Sequence, residues 1–395
     1  MKGWHAVLSA LLFFIPAGAT AAEDGIGAAR ELARKTAAFA GKGEPVSVAW
    51  SNVSSLGSSE LVEARGAFEA ALRESGGRIS DVAPLTEAHI TLSENRAQYL
   101  LVEEIRKGDD RQVWISAWKR SEALSAAMDG ITLEKKLVWE QDEPMLDVAF
   151  AAASMVLLSP SGVTMYVRQG GPWVRAASMP LSPPRPWPRD LRGRLRTNDT
   201  SFQAYLPGMA CSGAVEPTFT LECRPSEEPW VLESGSRAML LANFAVARNH
   251  FDGHVTTQAG VRKNVGPFYS AASAEEQGRT VWLLAMLDGR VEVLDASFDP
   301  AGSIGSWGSD IAGTDAHCGS GSQVLATRPG DGTVTDALQA FSIVNRSATP
   351  VTLPVELPGP VTALWPSGGS SVVAIVHNLA TGRYEAYVVT VVCGE

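Results

Sequence analysis

The sequence predicts an α+β multidomain protein, a small N-terminal α/β domain followed by a mainly-β propeller of five or six blades. Three observations carry that prediction. Helical periodicity is confined to roughly the first third of the chain; short apolar strands and glycine-centred turns replace it from about residue 146; and the last turns recur at nearly constant spacing. With 395 residues, 45% of them hydrophobic and 19% charged, the chain can build more than one core, and the composition excludes disorder, collagen-like repeats and a coiled-coil rod.

The first 21 residues have the pattern of a secretory signal: Lys2 as the positive start, an apolar run over 6–15 and the small-residue cleavage pattern Ala19-Thr20-Ala21. Cleavage near Ala22 is expected. The apolar run is about half the roughly 20 residues that a spanning helix needs, so no membrane span is expected. The expected location is the bacterial periplasm or the medium.

Residues 24–120 carry the α/β pattern. Asp24 is placed to cap a helix that ends at Gly41 to Gly43, and Val46, Val48 and Trp50 alternate as a half-buried strand. A second helix sets Leu61, Ala64, Phe68, Ala71 and Leu72 on one stripe, with Gly76-Gly77 supplying a left-handed stop. Strands are expected at 88–93, 99–105 and 112–118. His89 is a surface or structural residue, because no second ligand accompanies it.

Residues 121–145 change composition and are expected to link the two units, leaving 146–395 for the propeller. Ser159-Pro160-Ser161-Gly162 separates strands at 155–158 and 163–167, and Asp288-Gly289 joins strands at 281–287 and 290–294, a strong hairpin signal because both turn positions tolerate positive φ. Gly289, Gly332 and Gly382 stand 43 and 50 residues apart, the length of one four-stranded blade. Residues 183–267 are irregular and leave the blade count open; a β-sandwich is the competing architecture.

A formal net charge of −10, from 33 Lys and Arg against 43 Asp and Glu, repels nucleic-acid phosphates, so no nucleic acid is expected as partner. Cys211, Cys223, Cys318 and Cys393 allow three pairings; Cys211 with Cys223 and Cys318 with Cys393 is the favoured one in an oxidising compartment. Their spacing is not that of a zinc site, and His317 beside Cys318 has no companion cluster.

Trp365-Pro366-Ser367-Gly368-Gly369 and the stretch 372–391 that follows, with its Asn-x-x-Thr-Gly turn and Tyr-containing outer strand, resemble a TolB-type propeller repeat, and Ser159 to Gly162 is similar to a second copy. Ser161 and Ser367 stand where that repeat has Asp. The resemblance implies a small α/β domain followed by six blades in a periplasmic protein that binds protein partners. Thr91 to Asn95, Pro184 to Arg194 and Trp307 to Ala312 also resemble an uncharacterised group of secreted bacterial proteins, acidobacterial in character.

Chemistry-bearing motifs are few. Pro183 to Arg196 concentrates arginines, prolines and Trp187, so Arg185, Trp187, Arg189 and Arg192 are the candidate binding residues, forming a docking arm for an acidic or peptide ligand unless Trp187 merely pins a connection. Asn249 to His254 offers two His and an Asp without an established ligand spacing. Ser309, Asp310 and His377 could assemble a hydrolase triad, but no Gly-x-Ser-x-Gly elbow is present. Asp288 and Asp331 are hairpin residues rather than calcium ligands. The sequons at Asn52, Asn198 and Asn345 matter only in a eukaryotic secretory pathway. No catalytic residue, metal or cofactor is therefore expected. The expected function is a monomeric, non-enzymatic scaffold that binds a protein or peptide in the cell envelope; the alternatives are a propeller-based hydrolase, or a carbohydrate-binding propeller using Trp173 or Trp307.

Overall fold

The structure is a computed structural model describing residues 21–22, 24–52, 54, 56, 58–80, 84–95, 98–120, 130–151, 153–168, 170–234, 238–257, 260–318, 321–330 and 332–394. Residues 1–20 of the expected signal segment 1–21 and residues 121–129 of the expected linker lie outside them. The chain divides into two compact units, residues 1–120 and 121–395.

In the first unit, β1 (Ala21–Ala22), α1 (Gly25–Ala40), β2 (Pro45–Asn52), α2 (Ser58–Glu74), β3 (Arg78–Ile79), β4 (Thr86–Glu94), β5 (Gln98–Lys107) and β6 (Asp110–Lys119) form one sheet of order β1-β6-β5-β4-β2-β3 with its two helices. Asp24 caps α1 by accepting from the Gly27 N–H at 2.7 Å, and Gly41 ends the helix at φ 99°. Both helices cover one sheet face, because Leu32, Phe68 and Leu72 bury against Ile90, Leu92, Leu101 and Trp118. Gly76 takes the left-handed φ of 85°. The short strands β1 and β3 escape the sequence pattern, since two residues show no period.

The stretch expected as a linker contains a long strand, β7 (Ile131–Gln141), which belongs to the second unit. Its charged, half-exposed composition suits an outermost strand with one face in water, and that hid its alternation. The strands that follow form antiparallel groups of four in chain order. These are β8 (Asp147–Ala151), β9 (Ser154–Leu158), β10 (Gly162–Arg168), β11 (Trp173–Pro180); then β12 (Arg194–Thr197), β13 (Ser201–Leu206), β14 (Met209–Ala214), β15 (Glu222–Pro225); then β16 (Trp230–Ser234), β17 (Ala238–Phe244), β18 (Phe251–Thr257), β19 (Arg262–Asn264). Next come β20 (Phe268–Glu276), β21 (Arg279–Met286), β22 (Val291–Leu294), β23 (Pro300–Ile304), and β24 (Ile311–Gly313), β25 (Gln323–Thr327), β26 (Ala337–Val344), β27 (Ser347–Pro350) with β28 (Val355–Glu356) added to β26. The last sheet is β29 (Val361–Pro366), β30 (Ser371–His377), β31 (Tyr384–Cys393) and, as its fourth strand, β7. The groups β16–β19 and β20–β23 join into one eight-stranded sheet through a single residue pair, Phe251 with Phe268.

Successive groups share cores. Leu158, Val163, Phe202 and Leu206 fill the space between the first two groups; Leu283, Val293, Val324 and Phe341 join β20–β23 to β24–β27. Leu325, Leu338, Val372 and Val389 join the next pair. Trp365, Val373 and Ile375 of the last sheet pack in a cluster with Met155, Leu157 and Tyr166 of the first. The sheets thus pack serially and return to their start, the order of a β-propeller.

The turns at Gly289, Gly332 and Gly382 each lie between the second and third strands of their groups, with φ of 86°, 77° and 72°. Their near-constant spacing therefore marks equivalent positions. The two TolB-type motifs do not: Trp365 to Gly369 lies between first and second strands, Ser159 to Gly162 between second and third. Their turn chemistry also differs. Gly368 and Gly369 adopt φ of 86° and 59°, whereas Ser159 Oγ accepts from the Gly162 N–H at 3.2 Å. The irregular stretch 183–267 holds two whole groups built from strands as short as three residues.

Candidate functional site

Antiparallel order fixes where the polar motifs emerge. In each four-stranded group the turn between the second and third strands, and the connection into the next group, leave the sheet at the same end. We call this the entry end, because every first strand begins there. The arm 181–193, the start of β24 at Ser309 and Asp310, the turn before His250, the Gly289, Gly332 and Gly382 turns and the base of the last hairpin at His377 all gather at it.

The arm is the most elaborate of these connections. Trp187 Nε1 donates to Pro160 O at 3.0 Å while its ring packs on the core between the first two groups, so this side chain pins the arm. Arg192 reaches two and three groups onward. It donates to both Asp310 carboxylate oxygens at 2.9 and 3.2 Å and to Tyr269 O at 2.9 Å. Both side chains of this pair are almost fully buried, with exposures of 10% and 4%. The same arm leaves Arg185 half-exposed, 3.8 Å from Glu227, and presents Arg189. Of the four candidate binding residues, two are therefore spent on holding the arm and two face outward.

Two positions beyond the latch arginine, Arg194 is buried, as is Asp147, which the sequence did not flag. Asp147 opens β8 and accepts from Val148 N–H at 2.7 Å and Leu195 N–H at 2.6 Å. Burial pushes its carboxyl up to about 7, opposed by the positive charge of Arg194 and those two N–H groups. Arg194 itself opens β12 and lies over the Trp365 ring at 4.6 Å. The available signal was a charge at the first position of an otherwise apolar strand.

Ser309, Asp310 and His377 do not form a relay. Ser309 Oγ donates to Asp310 Oδ2 at 2.7 Å, and that carboxylate is already held by Arg192. The His377 ring instead stacks on Tyr384 at 4.8 Å, and among the described residues no hydrogen bond joins it to Ser309. General-base activation of a serine needs imidazole within about 2.6–3.2 Å of the hydroxyl. In the Asn249 to His254 segment, Phe251 is core, Asp252 accepts from the His254 N–H at 2.8 Å, and Gly253 (φ 95°) lies where a Cβ would come within 2.4 Å of Gly266 O. No group of three possible metal ligands occurs among the described residues. Trp307 is buried against Phe341, and Trp173 lies between Phe150 and Arg168, so neither lines an open groove.

A cavity of about 60 Å³ opens at the entry end between β24–β26 and the start of β29, lined by Ser309, Thr327, Arg328, Val334, Asp336 and Val361 among others. Asp336 Oδ2 accepts from Val361 N–H at 2.9 Å. Burial lifts this carboxyl to about 6; Asp310 and Glu356 add to the rise, and the Val361 bond and Arg328 oppose it.

Both disulfides are formed: Cys211 to Cys223 directly across β14 and β15, and Cys318 to Cys393 between the loop before β25 and the end of β31. The residues of the TolB-like turn in the last sheet have a structural use. Asn378 accepts from Ala380 and Thr381 N–H and donates to buried Glu385, to which Tyr387 donates in turn, so these residues shape a hairpin.

No family model matches the chain, and no curated protein matches it. Solved structures similar to it include TolB from Acinetobacter baumannii (10% identity, covering 82% of this chain and 97% of that one, TM-score 0.36). The Dos1 propeller (11% identity, 74% and 89% coverage, TM-score 0.33) and Hsv2 of Kluyveromyces lactis (9% identity, 72% and 87% coverage, TM-score 0.33) are also similar. No helix among the described residues is long and apolar enough to cross a membrane.

Proposed function

We propose that the chain is an exported, non-enzymatic scaffold, a small α/β unit followed by a six-bladed propeller, whose entry end holds a protein or peptide partner in the bacterial envelope. Dividing the eight-stranded sheet at its single Phe251–Phe268 pair yields six groups, with β7 completing the last. Two disulfides suit an oxidising compartment, and a leader cut before Ala22 would deliver the chain there as a monomer.

One observation favours binding over hydrolysis: the serine, the carboxylate and the arginine at the centre of the entry end bond to one another and fasten the arm. What remains free to meet a partner is surface, including Arg185 and Arg189. A photo-crosslinker at position 189 of the full chain, expressed in an envelope, should capture a discrete protein that one at position 346, at the opposite end, does not. Adding Arg185→Glu to that crosslinking chain should reduce the capture at least tenfold. Equal capture from both ends, or labelling of Ser309 by a broad serine-hydrolase probe, would overturn the reading. Sequencing the N-terminus of the exported protein checks the leader.

A further inference from the structure

The charges around the entry-end cavity do not balance. Asp310 is matched by Arg192 at 2.9 Å and Glu356 by Arg328 at 2.7 Å. Asp336 has no cation within ion-pair distance among the described residues, and one of its oxygens is taken by the Val361 N–H. Among the described residues the cavity wall therefore carries one carboxylate without a matching cation, close to two further carboxylates that would repel any anion.

We propose that this cavity is a receptor for a single primary ammonium group, presented by a lysine side chain or by the N-terminus of a peptide. The proposal rests on the scaffold reading and names the chemistry its partner brings. About 60 Å³ holds two waters' worth of volume, or an ammonium head and its last methylene. A compact point charge with three donors suits the geometry: Asp336 takes one, and Ser309 Oγ, its proton committed to Asp310, presents lone pairs to another. A guanidinium plane is bulkier than an ammonium head and fits about 60 Å³ less well. Val334, 58% exposed at the mouth, and Val361 supply apolar wall for the methylenes of a lysine stem. Burial of Asp336, which raises its carboxyl, would be relieved by an incoming positive charge.

The test is amide-resolved NMR titration of the full chain with three probes: N-acetyl-lysine methylamide, a dipeptide amide with a free N-terminus, and N-acetyl-norleucine methylamide. The expected result is saturable shifts at the Asp336 and Val361 amides with at least one of the two amines and none with norleucine; the tighter amine identifies the source. Asp336→Asn keeps a carbonyl for the Val361 N–H and should weaken binding at least tenfold. Val334→Trp, which blocks the mouth from an exposed position, should do the same if the first variant folds poorly. Equal shifts from norleucine, or unchanged affinity in both variants, overturn the proposal. Probes that fail while the protein captured from position 189 is still held would remove the ammonium receptor and leave the scaffold; binding of amines with no protein captured would do the reverse.

Discussion

Glu103 shows what one buried side chain can impose. It lies on β5 against α1, fully buried, and burial pushes its carboxyl from 4.5 to about 7, against the Thr36 hydrogen bond and the charge of Lys35. Thr36 Oγ1 is 2.9 Å from Leu32 O and 2.6 Å from Glu103 Oε1, yet it has one proton. A protonated Glu103 resolves this by donating to Thr36, which then donates to Leu32 O. Because the folded state binds this proton more tightly than the unfolded one, the contribution is complete below pH 4.5 and is lost as pH rises through about 7. At about 1.4 kcal/mol per pKa unit the loss is on the order of 3 kcal/mol. Glu103→Gln should therefore flatten the fall of the first unit's urea midpoint between pH 5 and pH 8 relative to the parent; parallel curves would refute a protonated Glu103. Arg192→Ala leaves Asp310 buried without its cation and should cost about 3–5 kcal/mol by chemical denaturation, an effect that a merely exposed docking arginine would not produce. The composition of the arm was legible, whereas the latch formed by Arg192 was not, because its partner lies 118 positions away and local composition carries no record of such a distance.

Among the elements, those with a strong period were readable. α1, α2, β4 and β5 fall where alternation and capping placed them, because each buries one continuous face, and β6 falls in its expected place although Val113 and Ile115 stay exposed. β7 and several strands between Pro183 and Pro267 were not, since β12, β15 and β19, at three or four residues, show too few repeats and an outermost strand has a wet face. The Cys318–Cys393 bond acts on this scale, fastening the loop before β25 to the end of β31 across a separation of 75 residues. Replacing both with Ser should cost about 2–4 kcal/mol, more than the same change at Cys211 and Cys223, whose separation of 12 leaves a small loop already paired as a hairpin. Denaturation with and without reductant measures both; a larger loss at the shorter loop would contradict this ranking.

For the molecule as a whole, the two units have separate cores, so damage to one should leave the other standing. Ending the chain at Arg383 deletes β31, which pairs with both β30 and β7. Hydrogen exchange should then show β21, β25 and β30 losing protection while β4 and β5 keep theirs. Loss of protection in both units together would show that they fold as one. Glycine turns at equivalent positions made the repetition visible in the sequence, whereas the closing pair is invisible to any local window: its two members stand at opposite ends of the second unit.

That pairing of β7 with β31 sets a timetable for synthesis. The strand that seals the circle is among the first of its unit to leave the ribosome, and its mate follows at the far end of the unit. For the whole interval it waits with unsatisfied amides along one edge, open to a neighbouring nascent chain. Slow synthesis should thus raise the yield of intertwined dimers, and relocating residues 130–141 behind Gly394 by circular permutation should lower it.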